Sequence, residues 1–262
     1  MKGQLFWVAL CAAACSEPAE RPDTISVCQV RCEGGYVGGD GDDTTSTTGS
    51  NPGGDGTTVS GDVAVFVDEE FAGTEPWGNE AVVLAPGAEQ AIVDGEFDGE
   101  LFRVDNVAER TAAWFLTEPA DSSLISPLPA LWLVDTTRSD MFDLYMVNRD
   151  VIEEILAGLT VQTTIAAGRA QVVIRLVDAN GDPAPGVGIQ SNDGEFIAYY
   201  SGTSWTDQDS ATDSSGLAMV GNVLAPDYPG RGMQVVVTAA EQQDVVLDVV
   251  EDAVTMAEVL VE

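Results

Sequence analysis

Tyr199, Tyr200 and Trp205 stand close together in the chain, followed by Asp207, Asp209 and Asp213. Aromatic rings beside carboxylates are what a sugar-binding surface uses, since an apolar sugar face stacks on a ring while acids accept hydrogen bonds from hydroxyls. The plainer alternative makes Tyr199 or Tyr200 a core residue of a strand and Trp205 the cover of a sheet edge. Asp207, Asp209 and Asp213 could gather oxygen ligands around a calcium ion, as could Asp178, Asn180 and Asp182. Alternating Asp and Asn in a turn is also ordinary turn chemistry, because these side chains bond to their own backbone. Paired carboxylates could in principle cleave a glycosidic bond, but acids are abundant and no pair is singled out.

Other chemistries are excluded by composition. There is no histidine, which removes Ser-His-Asp and Cys-His catalysis and histidine-ligated zinc. The only lysine is Lys2, so lysine-based covalent or phosphate chemistry has no residue to use beyond the first few positions. With 44 acidic residues against 10 basic, the formal net charge is -34, and such a surface repels nucleic-acid phosphates. It also disfavours electrostatic docking on anionic lipid. No catalytic residue and no required cofactor emerges, and the chain reads as a non-enzyme.

The candidate residues have to be positioned by strands. In Gln171 to Val177, Val172, Ile174 and Leu176 alternate with Gln171, Val173 and Arg175, the period expected of a strand with one buried face. Asp178, Asn180, Gly181, Asp182, Pro183 and Gly186 then mark a reversal, and Val187 and Ile189 resume the alternation, so a hairpin is predicted. Further strands are expected at 195–200, 216–220, 233–239, 244–250 and 254–261, about seven in all. The stretch 62–140 carries about six strand-like runs separated by turn signals, and Trp77, Trp114 and Trp132 there read as core more readily than as a ligand face. Asp150 to Gly158 is the one persuasive helix, with Asp150 as cap, Glu153 completing a capping-box pair, and Val151, Ile152, Ile155 and Leu156 forming its apolar stripe.

Ahead of the strands lies a different kind of sequence. Lys2 precedes an apolar run from Leu5 to Ala14, too short to span a bilayer and laid out as an export signal. The run Ala12-Ala13-Ala14-Cys15 resembles the bacterial lipobox, in which the cysteine is lipidated and becomes the first mature residue. That family most often has leucine where Ala12 stands, and an ordinary export signal is the alternative. Cysteine arithmetic bears on the choice: once Cys11 leaves with the leader, Cys15, Cys28 and Cys32 remain, an odd number. With Cys15 lipidated, Cys28 and Cys32 are free to pair as a disulfide in an oxidising compartment. The following Gly/Thr/Ser/Asp-rich stretch to Gly61 has too few apolar residues for a core and reads as a spacer.

The pattern Val172 to Asp178, Gly181-Asp182-Pro183, Gly186-Val187, Thr212-Asp213 with Gly216, then Asn222-Val223 and Val235 to Thr238, resembles the carboxypeptidase regulatory-like domain. The resemblance covers residues 168–262. It implies a transthyretin-like, seven-stranded sandwich acting as a non-catalytic accessory or adhesion-like module. The expected organisation is a signal peptide at 1–14, a lipidated low-complexity tether at 15–61, a first sandwich at 62–140, a helical connector at 141–167 and the regulatory-like sandwich at 168–262. The fold class is all-β, with two small antiparallel β-sandwich domains. The expected role is structural, adhesive or protein-binding, with a glycan-binding module at Tyr199 to Trp205 as the alternative. The expected location is the cell envelope, beyond the inner membrane, at the outer membrane or cell surface.

Overall fold

The computed structural model describes residues 56–87, 92–99, 101–107, 112–121, 127–135, 143–225, 231–238 and 242–261. The leader, Cys15, Cys28, Cys32 and nearly all of the spacer lie outside the described residues. In chain order the strands are β1 (Thr57–Gly61), β2 (Val63–Phe66), β3 (Thr74–Pro76), β4 (Ala81–Pro86), β5 (Ile92–Phe97), β6 (Phe102–Val107), β7 (Ala112–Pro119), β8 (Ala130–Asp135) and β9 (Leu144–Val147). A helix, α1 (Arg149–Gly158), precedes β10 (Arg169–Val177), β11 (Gly188–Gln190), β12 (Phe196–Tyr200), β13 (Trp205–Thr206), β14 (Leu217–Leu224), β15 (Arg231–Thr238), β16 (Gln242–Val249) and β17 (Val254–Leu260). The protein is an all-β sandwich with one helix among the described residues. That helix is too short to cross a membrane.

Eleven strands form one sheet in the order β1-β6-β5-β4-β7-β8-β17-β10-β14-β12-β13, and β11-β15-β16 and β3-β2-β9 form two smaller sheets. The long sheet joins the two halves of the chain. β17 runs parallel to both neighbours, pairing Val254 to Met256 with Ala130 to Trp132 of β8 on one side and with Gln171 to Val173 of β10 on the other. The halves expected as separate sandwiches linked by a helix therefore share a backbone ladder.

Packing makes the second half of this sheet a middle layer. On one face Val172, Ile174 and Leu176 of β10, Ala218 and Val220 of β14 and Ala257 and Val259 of β17 pack against β11, β15 and β16. On the other face Val173, Leu217, Met219, Val254 and Met256 join a cluster with β2, β9 and α1. The one-buried-face reading of β10 is thus corrected: both faces are covered, which is why Val173 interrupts the alternation.

Gln171, the fully buried polar residue of that strand, is only 1% exposed and is kept by a partner of matching chemistry. Its amide donates to Asn222 Oδ1 over 2.9 Å, and its oxygen accepts the Asn222 backbone N–H over 3.1 Å. Asn222 in turn donates to Thr163 Oγ1, to the Thr164 carbonyl and to Glu195 Oε2, and its Oδ1 also accepts from the Ala166 amide. The β10–β14 register shifts between Ala170 and Val172, and Asn222 takes the left-handed conformation (φ 51°) that a bulge there requires. Its neighbour Gly221 leaves room for a ring, since a Cβ there would sit 1.8 Å from Phe196 Cζ.

Three local expectations are corrected. The predicted hairpin is not one, because β10 and β11 belong to different sheets and their link crosses the core rather than folding back. Only the Val177–Pro183 bridge survives of the expected pairing, since Val187 and Ile189 turn into the core that Val172 enters from the opposite sheet. The spacer ends before Gly61: Thr57–Gly61 pairs with β6, drawn in by Val59, which is fully buried. The cap of α1 is Asn148, whose side chain accepts the Asp150 N–H, so Asp150 supplies first-turn charge and not the cap. The apolar stripe Val151, Ile152, Ile155 and Leu156 is buried as its spacing predicts, at about 1.5–3 kcal/mol per side chain.

Candidate functional site

Where the two halves meet, the middle layer and the β3-β2-β9 sheet enclose a cavity of about 480 Å³. Strand register lays out its floor. Leu217, Arg175 and Glu258 are cross-strand partners in one row, and Met219, Val173, Met256 and Trp132 form the next. Phe66, Tyr145 and the turn between β2 and β3 close it from the other side, with Tyr200, Pro183 and Ser215 at the margin.

The β2–β3 turn is held rigid by its own first residue. Asp68 accepts from the Ala72 amide over 3.0 Å and from the Gly73 amide, and the Val67 N–H donates to the Gly73 carbonyl. This fixes Phe71 in a left-handed conformation (φ 51°), a strain of about 1–3 kcal/mol that the turn hydrogen bonds and ring packing offset. Phe71 meets Phe66 and Trp205 edge-on, at 5.9 and 6.2 Å between ring centres. Phe66 stacks on Tyr145 at 4.9 Å, and Trp132 Nε1 donates to the Tyr145 carbonyl over 2.6 Å. The second half grips the same turn: Trp205 Nε1 donates to the Glu69 carbonyl over 2.8 Å and Tyr200 Oη to Glu70 Oε1 over 2.7 Å.

Those contacts relocate the aromatic residues singled out by sequence. Tyr199, Tyr200 and Trp205 are all at most 5% exposed, so none offers the open ring face that sugar stacking needs. Alternation along β12 sends them to different cores. Tyr199 enters the second sandwich, where its hydroxyl accepts from the Ile189 amide and donates to the Ile189 carbonyl. Tyr200 and Trp205 face the junction. The Glu70 hydrogen bond, together with burial and the nearby Glu69 and Asp213 charges, pushes the Tyr200 phenol up to about 12, so it stays a donor at any physiological pH.

Of the proposed calcium ligands, Asp207 and Asp213 accept hydrogen bonds from the protein itself. Asp207 accepts the amides of Thr160 and Val161 just past α1. Burial opposes its charge, but hydrogen bonds from the Gln208 side chain and these two amides outweigh that and bring the carboxyl down to about 2. Asp213 accepts from the Ser215 amide and hydroxyl in the turn before β14, while Asp209 stands on the surface. The Asp178 carboxylate accepts the Asn180 and Asp182 amides, which lower its pKa, and Asn180 Nδ2 donates to it as well. Among the described residues no three acids or thiols converge on a point where a metal could sit. Turn chemistry accounts for the hydrogen bonds of Asp178 and Asp213, and Asp207 instead ties the end of α1 to the loop after β13.

Glu70, Arg175 and Glu258 all line the cavity, and the sequence marked none of them as a site residue. Arg175 and Glu258 are half-buried register partners on β10 and β17. Desolvation pushes the Glu258 carboxyl up to about 7, against the opposing pull of Arg175. Only the parallel pairing of strands far apart in sequence brings them together, so no local signal could have found them.

A folded pKa above the unfolded one means that Glu258 favours the folded state when protonated. Its contribution is complete below about pH 4.5, falls as pH rises toward 7, and is gone above that. Glu258→Gln should therefore be more stable than the parent at pH 8, by about 2 kcal/mol after allowing for partial solvent contact, and equal to it near pH 4.5. Urea unfolding at the two pH values checks this, and a constant difference between them would refute it.

No family model matches the chain, and no curated protein matches it. Among solved structures, a streptococcal ancillary pilin aligns over 78% of this chain and 68% of its own, with 11% identity and a TM-score of 0.22. A fimbrial protein from Bacteroides ovatus aligns over 79% of this chain and 49% of its own, with 12% identity and a TM-score of 0.23, so the chain spans about half the length of that protein. Alignments this loose carry nothing about partners or activity, and the sandwich description rests on the strand pairing and packing above.

Proposed function

We propose that this chain is a non-catalytic, lipid-anchored protein of the cell envelope whose β-sandwich body has a structural, adhesive or protein-contact role. The observation that carries the reading is the insertion of β17 between β8 and β10, which joins strands of both halves in one continuous sheet. Load entering either half passes through ladder hydrogen bonds and a shared core, whereas domains joined only by a linker move relative to one another. Such a body at the end of a Gly/Thr/Asp-rich spacer suits a protein held clear of a membrane. The second half, β10 to β17, carries eight strands, the two-residue β13 being one more than the seven of a regulatory-like sandwich, and we read it as a variant of that fold. The membrane is reached through a lipid on Cys15, the partner is a protein surface, and the net charge of -34 disfavours nucleic acid.

The test is fractionation of cells expressing the full chain with radiolabelled palmitate. Parent protein should carry label and pellet with envelope membranes, and Cys15→Ser should lose the label and appear in the soluble fraction. A parent protein that never takes up label ends the anchor proposal.

A further inference from the structure

We propose that the cavity between the two halves binds a small monocarboxylate with an apolar body, its carboxylate paired with Arg175. The volume, about 480 Å³, lies in the range of small-molecule sites. Arg175 is the decisive residue. In a chain with 44 acids and 10 bases it lines the cavity half-buried, and among the described residues its side chain makes no hydrogen bond or salt bridge, although it attracts the Glu258 carboxylate beside it. A guanidinium has five N–H donors in a planar fork that matches a carboxylate, and those of Arg175 are free to take a ligand in place of solvent.

The surroundings complete the fit. Glu258 is the acid placed to neutralise Arg175, but burial keeps it largely protonated below pH 7, when it can donate a hydrogen bond to a ligand oxygen. Glu70 also lines the cavity, and the Tyr200 hydroxyl already occupies it. The other titratable groups lining the cavity are Tyr145 from β9 and Tyr200 from β12, and β8 contributes only Trp132. Val173, Leu217, Met256, Phe66 and Trp132 offer an apolar bed for the body of the ligand. The field of a protein with a net charge of -34 opposes multiply charged anions, which restricts the fit to a single carboxylate.

The experiment titrates the full chain at pH 6 with 3-phenylpropionate, hexanoate, 3-phenylpropanamide and 3-phenylpropylamine, followed by calorimetry and tryptophan fluorescence. Both acids should bind, the amide about tenfold more weakly, and the amine not detectably. Arg175→Gln should lose at least about tenfold in affinity for the acids, and Arg175→Lys should keep part of it, because a point charge remains without the fork. In Glu258→Gln the acids should still bind, without the weakening from pH 6 to pH 8 expected of the parent. The comparison of acid, amide and amine needs no variant, so a folding defect cannot mask the answer. Failure of both acids to bind at about 10 mM overturns the proposal, as does an amine that binds as well as the acids or a folded Arg175→Gln protein with unchanged affinity.

Discussion

Replacing Trp205 by alanine should destabilise the protein by about 3–5 kcal/mol, a large part of what a domain of this kind has to lose. The ring is 3% exposed and sits edge-on to Phe71 and beside Tyr200, with centres 6.2 and 5.8 Å away. Three losses coincide on truncation: the apolar burial, the ring contacts, and the indole hydrogen bond that ties the Glu69 carbonyl to the second half. With that bond gone, the strained Phe71 has less to hold it, so the β2–β3 turn should open. Chemical denaturation gives the magnitude, and amide exchange at residues 68–73 should rise well before global unfolding. Trp205→Phe keeps most of the packing without the donor and should cost about 1–2 kcal/mol. A Trp205→Ala protein within 1 kcal/mol of the parent would show that the junction is not held as described.

Asn222→Ala should cost about 3–4 kcal/mol, mainly through what it leaves behind. Removing the side chain strips partners from the Gln171 amide and the Ala166 N–H, and buried groups without partners cost about 1–3 kcal/mol each. It also places alanine where the backbone is left-handed, which asparagine tolerates better. Two controls separate the causes. Asn222→Gly relieves the backbone but not the hydrogen bonds, and should recover about 1 kcal/mol. Combining Asn222→Ala with Gln171→Ala should cost less than the sum of the two, by about 1–2 kcal/mol, because the residues share their bonds. Simple additivity would mean that the pair is not coupled.

Much of the strand inventory was legible because it is local. Valine-rich alternation and Asp/Gly/Pro turns placed β10, β12 and β14 to β17 within a few residues and marked 62–140 as a run of short strands, and the 3.6 spacing placed α1. Boundaries failed where a tertiary contact decided them. Thr57–Gly61 resembles its Gly/Thr-rich surroundings, and only pairing with β6 makes it a strand. Pairing was the larger failure. A turn rich in Asp, Asn and Gly predicts reversal but does not say whether the chain returns in the same sheet or crosses to the facing one. That is why β10 and β11 looked like a hairpin and are not.

The candidate site divides along the same line. Tyr199, Tyr200, Trp205, Asp207, Asp209 and Asp213 were conspicuous because they cluster in sequence, and the fold sends them to a core, a helix end, a turn and the surface. Arg175 and Glu258 were inconspicuous because each looks like the polar face of an ordinary strand. By itself the sequence determined the class: a strongly acidic all-β chain, without histidine, and with enough valine for two sandwich cores. Only the tertiary structure decided that the cores share a sheet and that a cavity holding Arg175 beside Glu258 lies between them. The physical reason is that both follow from parallel pairing of β17 with strands far away in the chain, and such pairing leaves no mark on local composition or period.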